Sequence, residues 1–260
     1  MIIDAPIVLI SDLHLTADAP AGLAEFRQFS ERLERVEQLF ILGDLFEYWI
    51  GDDAVGLLGL DSVSETLKKI CHSGVAVFLL GGNRDFLIGE ALCKDTGCEL
   101  LSEPAELELA GISTLLQHGD KLCIDDHEHQ SFRTMVDSPQ WRRDFLAREF
   151  SERQSLALAA RFQSETSKRY KTNNIMDVNQ KAVEQALRNS HSPLLIHGHT
   201  HRPGIHEVLL VDRSAWRVVL GDWSAGPSYV SIEKNLVCLH FADQKRTLSR
   251  QSDRWELQPH

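Results

Sequence analysis

The chain has 260 residues, of which 43% are hydrophobic and 25% charged, with a formal net charge of −11. That balance excludes a disordered chain, the absence of any apolar run near 18 residues excludes a spanning helix, and the acidic excess excludes a broad nucleic-acid-binding surface. The five cysteines are odd in number and form no CxxC pair, which suits reduced thiols better than a disulfide framework.

In chain order, the N-terminal "MIIDAPIVLISDLHL" lacks a basic leader and carries Asp4, so it reads as a first strand and not a signal peptide. Short runs rich in Ile, Leu and Val lie at 6–10, 38–42, 75–80, 112–117 and 193–196; they read as buried strands. A helix is expected over about 20–36, opened by Asp18 and Pro20, and a second over about 62–72, capped by Asp61 and stopped by Gly74. "AELELAGISTLLQ" reads as a hairpin turning at Ala110-Gly111, and 206–241 is strand-like again. After about Ala242 the pattern fades and disorder is expected. Strands alternating with helices imply an α/β layered core.

The segment 127–190 differs from its surroundings. It carries 11 Lys and Arg against 8 Asp and Glu, whereas the whole chain carries 27 against 38. Its apolar spacing predicts helices near 128–150, 154–170 and 178–189. With no Pro/Gly-rich linker on either side, it reads as a helical insertion, a substrate lid, within one domain.

The residues just beyond each strand carry the chemistry. The first run leads into Asp12-Leu13-His14, the second into Gly43-Asp44, the third into Gly81-Gly82-Asn83-Arg84-Asp85, the fourth into His118-Gly119-Asp120, and the fifth into His197-Gly198-His199-Thr200-His201. Ligands of open α/β sheets bind beyond the carboxyl ends of the strands, so these ends can converge. Asp, Asn and His without Cys form a mixed O/N set suited to Mn²⁺, Fe or Zn²⁺ in a catalytic role. Seven such groups exceed one ion's needs and suit two ions about 3.5–4 Å apart. In an extended chain His197, His199 and His201 would point to one side. His197, nearest the apolar run, reads as a support for the other two.

These motifs, D-x-H, GD, GN, H and GHxH in this order over residues 12–201, resemble those of the calcineurin-like metallophosphoesterases. The resemblance implies a four-layer αββα sandwich with Asp12, His14, Asp44 and His201 on one ion, and Asp44 (bridging), Asn83, His118 and His199 on the other. The chain departs from the family's usual Asn-His-Asp, having Asn83-Arg84-Asp85. Arginine cannot supply a proton at neutral pH, whereas it neutralises a second phosphate well. The change therefore favours a diphosphate substrate, whose leaving phosphate needs no proton.

"ILGDLFEYWIGDD", "GNRDFLIG", "HGDKLCIDD", "IMDVNQKAV" and "IHGHTHRP" further resemble the branch of that family that splits the diphosphate of a UDP-linked diacylglucosamine in lipid A synthesis, releasing UMP and the sugar 1-phosphate. That likeness implies a dependence on two Mn²⁺ ions and a glycolipid nucleotide substrate. It assigns Asn83 and Arg84 to catalysis, and Asn83, Arg84, Asp126, Ser164, Lys168, Lys171 and His199 to substrate binding, with Lys168 departing from the pattern. No nucleic acid and no obligatory protein partner are expected. Phe145, Leu146, Phe150, Leu156, Leu158 and Phe162 are candidates for acyl-chain contacts or core packing. Trp141, Arg142, Arg143 and Phe145 mix aromatics with cations, as an interfacial surface or a solvated helix face does, and peripheral contact with the cytoplasmic face of the inner membrane is expected. The competing readings are a phosphohydrolase of soluble nucleotides or phosphodiesters, and a scaffold that has lost its chemistry.

Overall fold

A computed structural model describes residues 2–168, 177–251 and 254–259, without the side chains of Glu165 and Lys168. The strands are β1 (Ile7–Ile10), β2 (Gln38–Leu42), β3 (Ala76–Leu80), β4 (Glu99–Leu101), β5 (Ala105–Leu109), β6 (Ile112–Leu116), β7 (Leu194–His197), β8 (Gly204–Leu209), β9 (Ser214–Val219), β10 (Tyr229–Glu233), β11 (Leu236–Phe241), β12 (Gln244–Gln251) and β13 (Arg254–Leu257). The helices are α1 (Pro20–Ser30), α2 (Asp61–His72), α3 (Glu90–Thr96), α4 (His127–Val136), α5 (Pro139–Leu146), α6 (Phe150–Lys168) and α7 (Gln180–Ser190).

Two sheets form, in the orders β13-β12-β11-β10-β1-β2-β3-β4 and β5-β6-β7-β9-β8. The alternation of side chains along each strand explains why they stack. In β1, Val8 and Ile10 join Phe26, Phe29, Val63 and Leu67 of α1 and α2, whereas Ile7 and Leu9 face Leu116, Leu194 and Ile196 of the other sheet. In β7, Leu195 turns the other way and meets Val183 and Leu187 of α7. Three apolar interfaces thus separate four layers, helix–sheet–sheet–helix, as expected. Both faces of the central strands are buried, which is why they read as unbroken apolar runs.

Several boundaries differ from expectation. The first helix stops at Ser30, and neither Asp18 nor Asp61 caps: the N-caps are Ala19 and Leu60, without a side-chain bond. The single helix expected over 128–150 is two, because Pro139 pushes Ser138 into an extended conformation (ψ 125°) and the Ser138 hydroxyl accepts from the Trp141 amide at 3.4 Å. Beyond Ala242, where disorder is expected from the sequence, the described residues form β12 and β13, with Leu248 fully buried between the sheets. A run rich in Lys, Arg and Gln hides this, since only one residue in it is a large core aliphatic.

α5 and α6 pack on the helical side of the larger sheet through Phe145, Phe150 and Ala157. Arg153 of α6 is 3% exposed; it donates to the Ile50 carbonyl (2.7 Å) and to Asp53 (2.8 Å). Among the described residues no helix is long and apolar enough to cross a membrane.

In the larger sheet, His240 stacks on Tyr229 with ring centroids 4.3 Å apart and meets the Ser231 hydroxyl at 3.2 Å. Burial, aided by Lys245 and Arg32, lowers its pKa to about 4. The folded protein favours the neutral ring, so its contribution is complete above the unfolded pKa near 6.5 and is lost as pH falls from there towards 4. Urea denaturation at pH 7.5 and pH 5 should show a smaller pH-dependent loss of stability in His240→Gln than in the parent chain.

Candidate metal centre

The ends of β1, β2, β3, β6 and β7 bring the expected side chains to one place. Asp12, His14, Asp44, His199 and His201 all have positive φ, between 51° and 66°. Such a conformation is uncommon outside glycine, and five instances mark a site where backbone strain aims side chains inward. It also ends the alternation expected after β7, so the three histidines do not line one side. Two glycines permit the crowding: a Cβ on Gly82 would lie 2.2 Å from Asp44 Oδ1, and one on Gly198 would lie 2.1 Å from Asp12 Oδ2.

Two groups of ligand atoms are close enough to share an ion, Asp12–His14–His201 and Asp12–Asp44–His118. Asp12 is common to both here. Asp44 also reaches across, with Oδ1 3.6 Å from His118 Nε2 and Oδ2 3.9 Å from His14 Nδ1. Asn83 Oδ1 lies 2.9 Å from His118 Nε2 and 2.8 Å from His199 Nδ1. His14 Nε2 and His201 Nε2 face each other at 3.3 Å. His118 Nδ1 donates to the Leu42 carbonyl at 2.9 Å, which turns Nε2 towards the cluster. Asp12 Oδ1 and His14 Nδ1 are buried without a hydrogen-bond partner.

The electrostatics call for positive charge. Burial, with Asp85 and Asp12 nearby, raises Asp44 to about 7. Burial works against charge on Asp12 too, but His201, its Nε2 3.4 Å from Oδ1, and His118 hold it well below the usual carboxylate range. Burial would lower His118 and His201, yet Asp44 and Asp12 for the former, and Asp12 and Asp222 for the latter, raise each to about 9. Burial and Arg84 push His14 down to about 3. A buried Asp12 oxygen without a hydrogen-bond partner, opposed imidazole nitrogens and an Asp44 carboxyl that holds its proton near neutrality fit a centre built for divalent cations.

Residues 5–203 match the model of the calcineurin-like phosphoesterases. The chain belongs to that family. It is 44% identical over 224 residues to a protein of Aromatoleum aromaticum named UDP-2,3-diacylglucosamine hydrolase, covering 86% of this chain and 91% of the relative. Proteins of the same name from Nitrosococcus oceani and Escherichia coli O157:H7 are 42% and 41% identical, covering 91% and 90% of this chain and 94% and 98% of theirs.

Other positions singled out in the sequence fare unevenly. His197 is fully buried and turns away from the cluster: Nδ1 donates to the Gly198 carbonyl (2.8 Å) and Nε2 faces Arg217 at 3.4 Å. Arg84 sits over Asp44, its Nε 3.5 Å from Oδ2. Asp126 caps α4 by accepting from the His129 amide at 3.1 Å, and Ser164 is exposed on α6. Lys168 ends α6, its side chain not among those described, and Lys171 lies outside the described residues. Of the mixed cluster, Phe145 is buried, the packing alternative, with Trp141 stacked on it at 4.8 Å, and half-buried Arg142 donates to the Phe86 carbonyl at 2.9 Å.

Sequence reasoning gave no role to several residues that shape this phosphoesterase site. Asp222 faces His201 Nδ1 at 3.1 Å, and Asp120 pairs with Arg133 (2.9 Å) and His129 (3.3 Å) of α4. Asp85 is fully buried and accepts from the amides of Gly82 (2.7 Å), Asp44 (3.1 Å), Leu45 (2.8 Å) and Phe46 (3.3 Å). Its place after Gly82-Asn83-Arg84 was the available signal. An amide in its place has one acceptor oxygen, so two of those donors would face an NH₂ group. Asp85→Asn should lose about 3 kcal/mol of stability by urea denaturation and bind Mn²⁺ more weakly in calorimetric titration.

Proposed function

We propose that this phosphoesterase hydrolyses the diphosphate bond of UDP-2,3-diacylglucosamine to UMP and 2,3-diacylglucosamine 1-phosphate, in lipid A biosynthesis, with two Mn²⁺ ions at the centre formed by the strand ends. The observation that carries the reading is Arg84: a guanidinium, where the common family pattern has histidine, set over the buried Asp44 carboxylate at the edge of the ligand cluster. The names of the 41–44% identical relatives support the substrate.

Asp12, His14, Asp44, Asn83, His118, His199 and His201 would hold the ions, which supply Lewis acidity and an activated water when bound. The chain's own contribution is to place charge. Arg84 has its Nε towards Asp44 and its Nη1 towards Glu47, which sets a permanent positive charge at the edge of the ligand cluster, suited to phosphate oxygens. Asn83 holds its amide oxygen between two imidazoles, and its role in both metal and substrate binding follows from that shared position. Asp126, Ser164, Lys168, Lys171 and His199 complete the substrate set in this reading.

The segment α4–α6 serves as the lid. Leu158 and Phe162, four residues apart on α6 and 49% and 76% exposed, offer an apolar face for acyl chains or a lipid surface. α7 packs with the second sheet and belongs to the body of the fold. This face, and not Trp141 and Phe145, carries the proposed peripheral contact with the inner membrane.

Two measurements test the reading. UMP release with Mn²⁺ should be rapid from UDP-2,3-diacylglucosamine, slow from UDP-N-acetylglucosamine, and absent with chelator. Equal release from both sugars would overturn the lipid substrate while leaving the hydrolase. In flotation with anionic vesicles at low salt, the parent chain should rise with the lipid and Leu158→Ser/Phe162→Ser should rise less.

A further inference from the structure

Glu47 lies three residues beyond Asp44, and the sequence assigned it no role. Its backbone amide donates to the Leu15 carbonyl at 2.9 Å, next to the residue that carries the His14 imidazole. Its carboxylate is only 23% exposed and meets three cationic or proton-bearing groups from three parts of the chain. Oε2 is 3.5 Å from His14 Nδ1, Oε1 is 3.2 Å from Arg84 Nη1, and Oε1 also pairs with Arg161 of α6. Arg161 Nη1 further donates to the Glu47 carbonyl at 3.3 Å. The loops after β1, β2 and β3 and the long helix of the inserted segment therefore meet at one side chain.

The chemistry of His14 gives this meeting a direction. Its Nε2 faces His201 Nε2 at 3.3 Å within the ligand cluster. A neutral imidazole that offers Nε2 to a cation carries its proton on Nδ1, and that proton needs an acceptor. Nδ1 is buried without a hydrogen-bond partner. The carboxylates near it are Glu47 at 3.5 Å and Asp44 at 3.9 Å, and Asp44 is itself a ligand candidate. Glu47 is thus the group placed to orient the ring, the arrangement by which a carboxylate outside the ligand shell tunes a metal-bound histidine.

We propose that Glu47 is a positioning residue that couples the metal centre to the lid: it orients His14 and Arg84 and ties both to Arg161, so that filling the centre steadies α6. The coupling is reciprocal, so fixing α6 tightens metal binding by the same factor. The fastening is separate from the Arg153–Asp53 anchor, which holds the start of α6 about two turns away and touches no ligand. The proposal rests on the metal reading of the site, and its test needs no substrate, so a wrong lipid assignment would leave it standing.

The experiment measures hydrogen–deuterium exchange of residues 150–164 with and without Mn²⁺, alongside Mn²⁺ affinity by calorimetry, in the full chain. In the parent protein Mn²⁺ should slow exchange across α6. In Glu47→Gln, which keeps the shape and loses the charge, that slowing should disappear and the Mn²⁺ dissociation constant should rise about tenfold or more. Glu152→Gln, on the same helix but paired with Arg148 and away from the ligands, should behave as the parent. Should Glu47→Gln fail to fold by circular dichroism, Arg161→Gln tests the link from the lid side and should likewise abolish the metal-dependent slowing. Metal-dependent slowing that is the same in the variant as in the parent, or absent from the parent, overturns the proposal.

Discussion

The Asp85 carboxylate is the constraint on which the site depends. It gathers four backbone donors, one from its own loop and three from the loop after β2, so two chain segments that β-pairing brings side by side are also joined beyond the sheet. The Asp44 backbone, with φ at 51°, is held in its left-handed turn by one of those bonds. With Asp44 in place, its Oδ1 accepts from the Arg84 amide at 2.9 Å, and the third loop is registered on the second. A carboxylate is suited to this because it offers two acceptor oxygens and no donor.

The two sheets supply the candidate ligands from opposite sides. Asp12, His14, Asp44 and Asn83 come from the larger sheet, His118, His199 and His201 from the smaller, and the apolar interface between the sheets fixes their separation. Close approach at the seam is permitted by glycine: Gly198 brings its backbone against Asp12, whose Oδ2 accepts from the His199 amide at 2.9 Å. Strain, close backbone approach and unpartnered acceptors occur together here. Each is unfavourable alone, and each is offset when a cation occupies the centre.

The inserted helices are bound to this body by charged contacts laid over a small apolar one. Arg153 anchors the start of α6, Arg161 reaches Glu47 at the centre, and Arg133 of α4 pairs with the buried Asp120 that comes two residues after His118. Of these pairs Arg133–Asp120 is buried on both sides, so both charges are stripped of water and their attraction is largely offset by that cost. Their placement links these helices to the loops that carry the candidate ligands.

The sequence by itself determined the layered α/β class, five core strands and a set of candidate metal ligands, because a buried strand announces itself as an apolar run and metal-competent residues recur directly after each one. It also marked Arg84 as a departure from the family pattern. It misplaced the helix break at Ser138-Pro139 and the order of β12 and β13, where local capping and a single buried leucine outweigh a polar composition. It gave no role to Asp85, Asp120, Asp222 and Glu47, and it left open whether Phe145 meets acyl chains or packs in the core. A carboxylate looks the same in a sequence whether it faces water, caps a loop or orients a histidine. Only the tertiary structure decides which, because burial and the partner that replaces lost water are properties of residues brought together from distant parts of the chain.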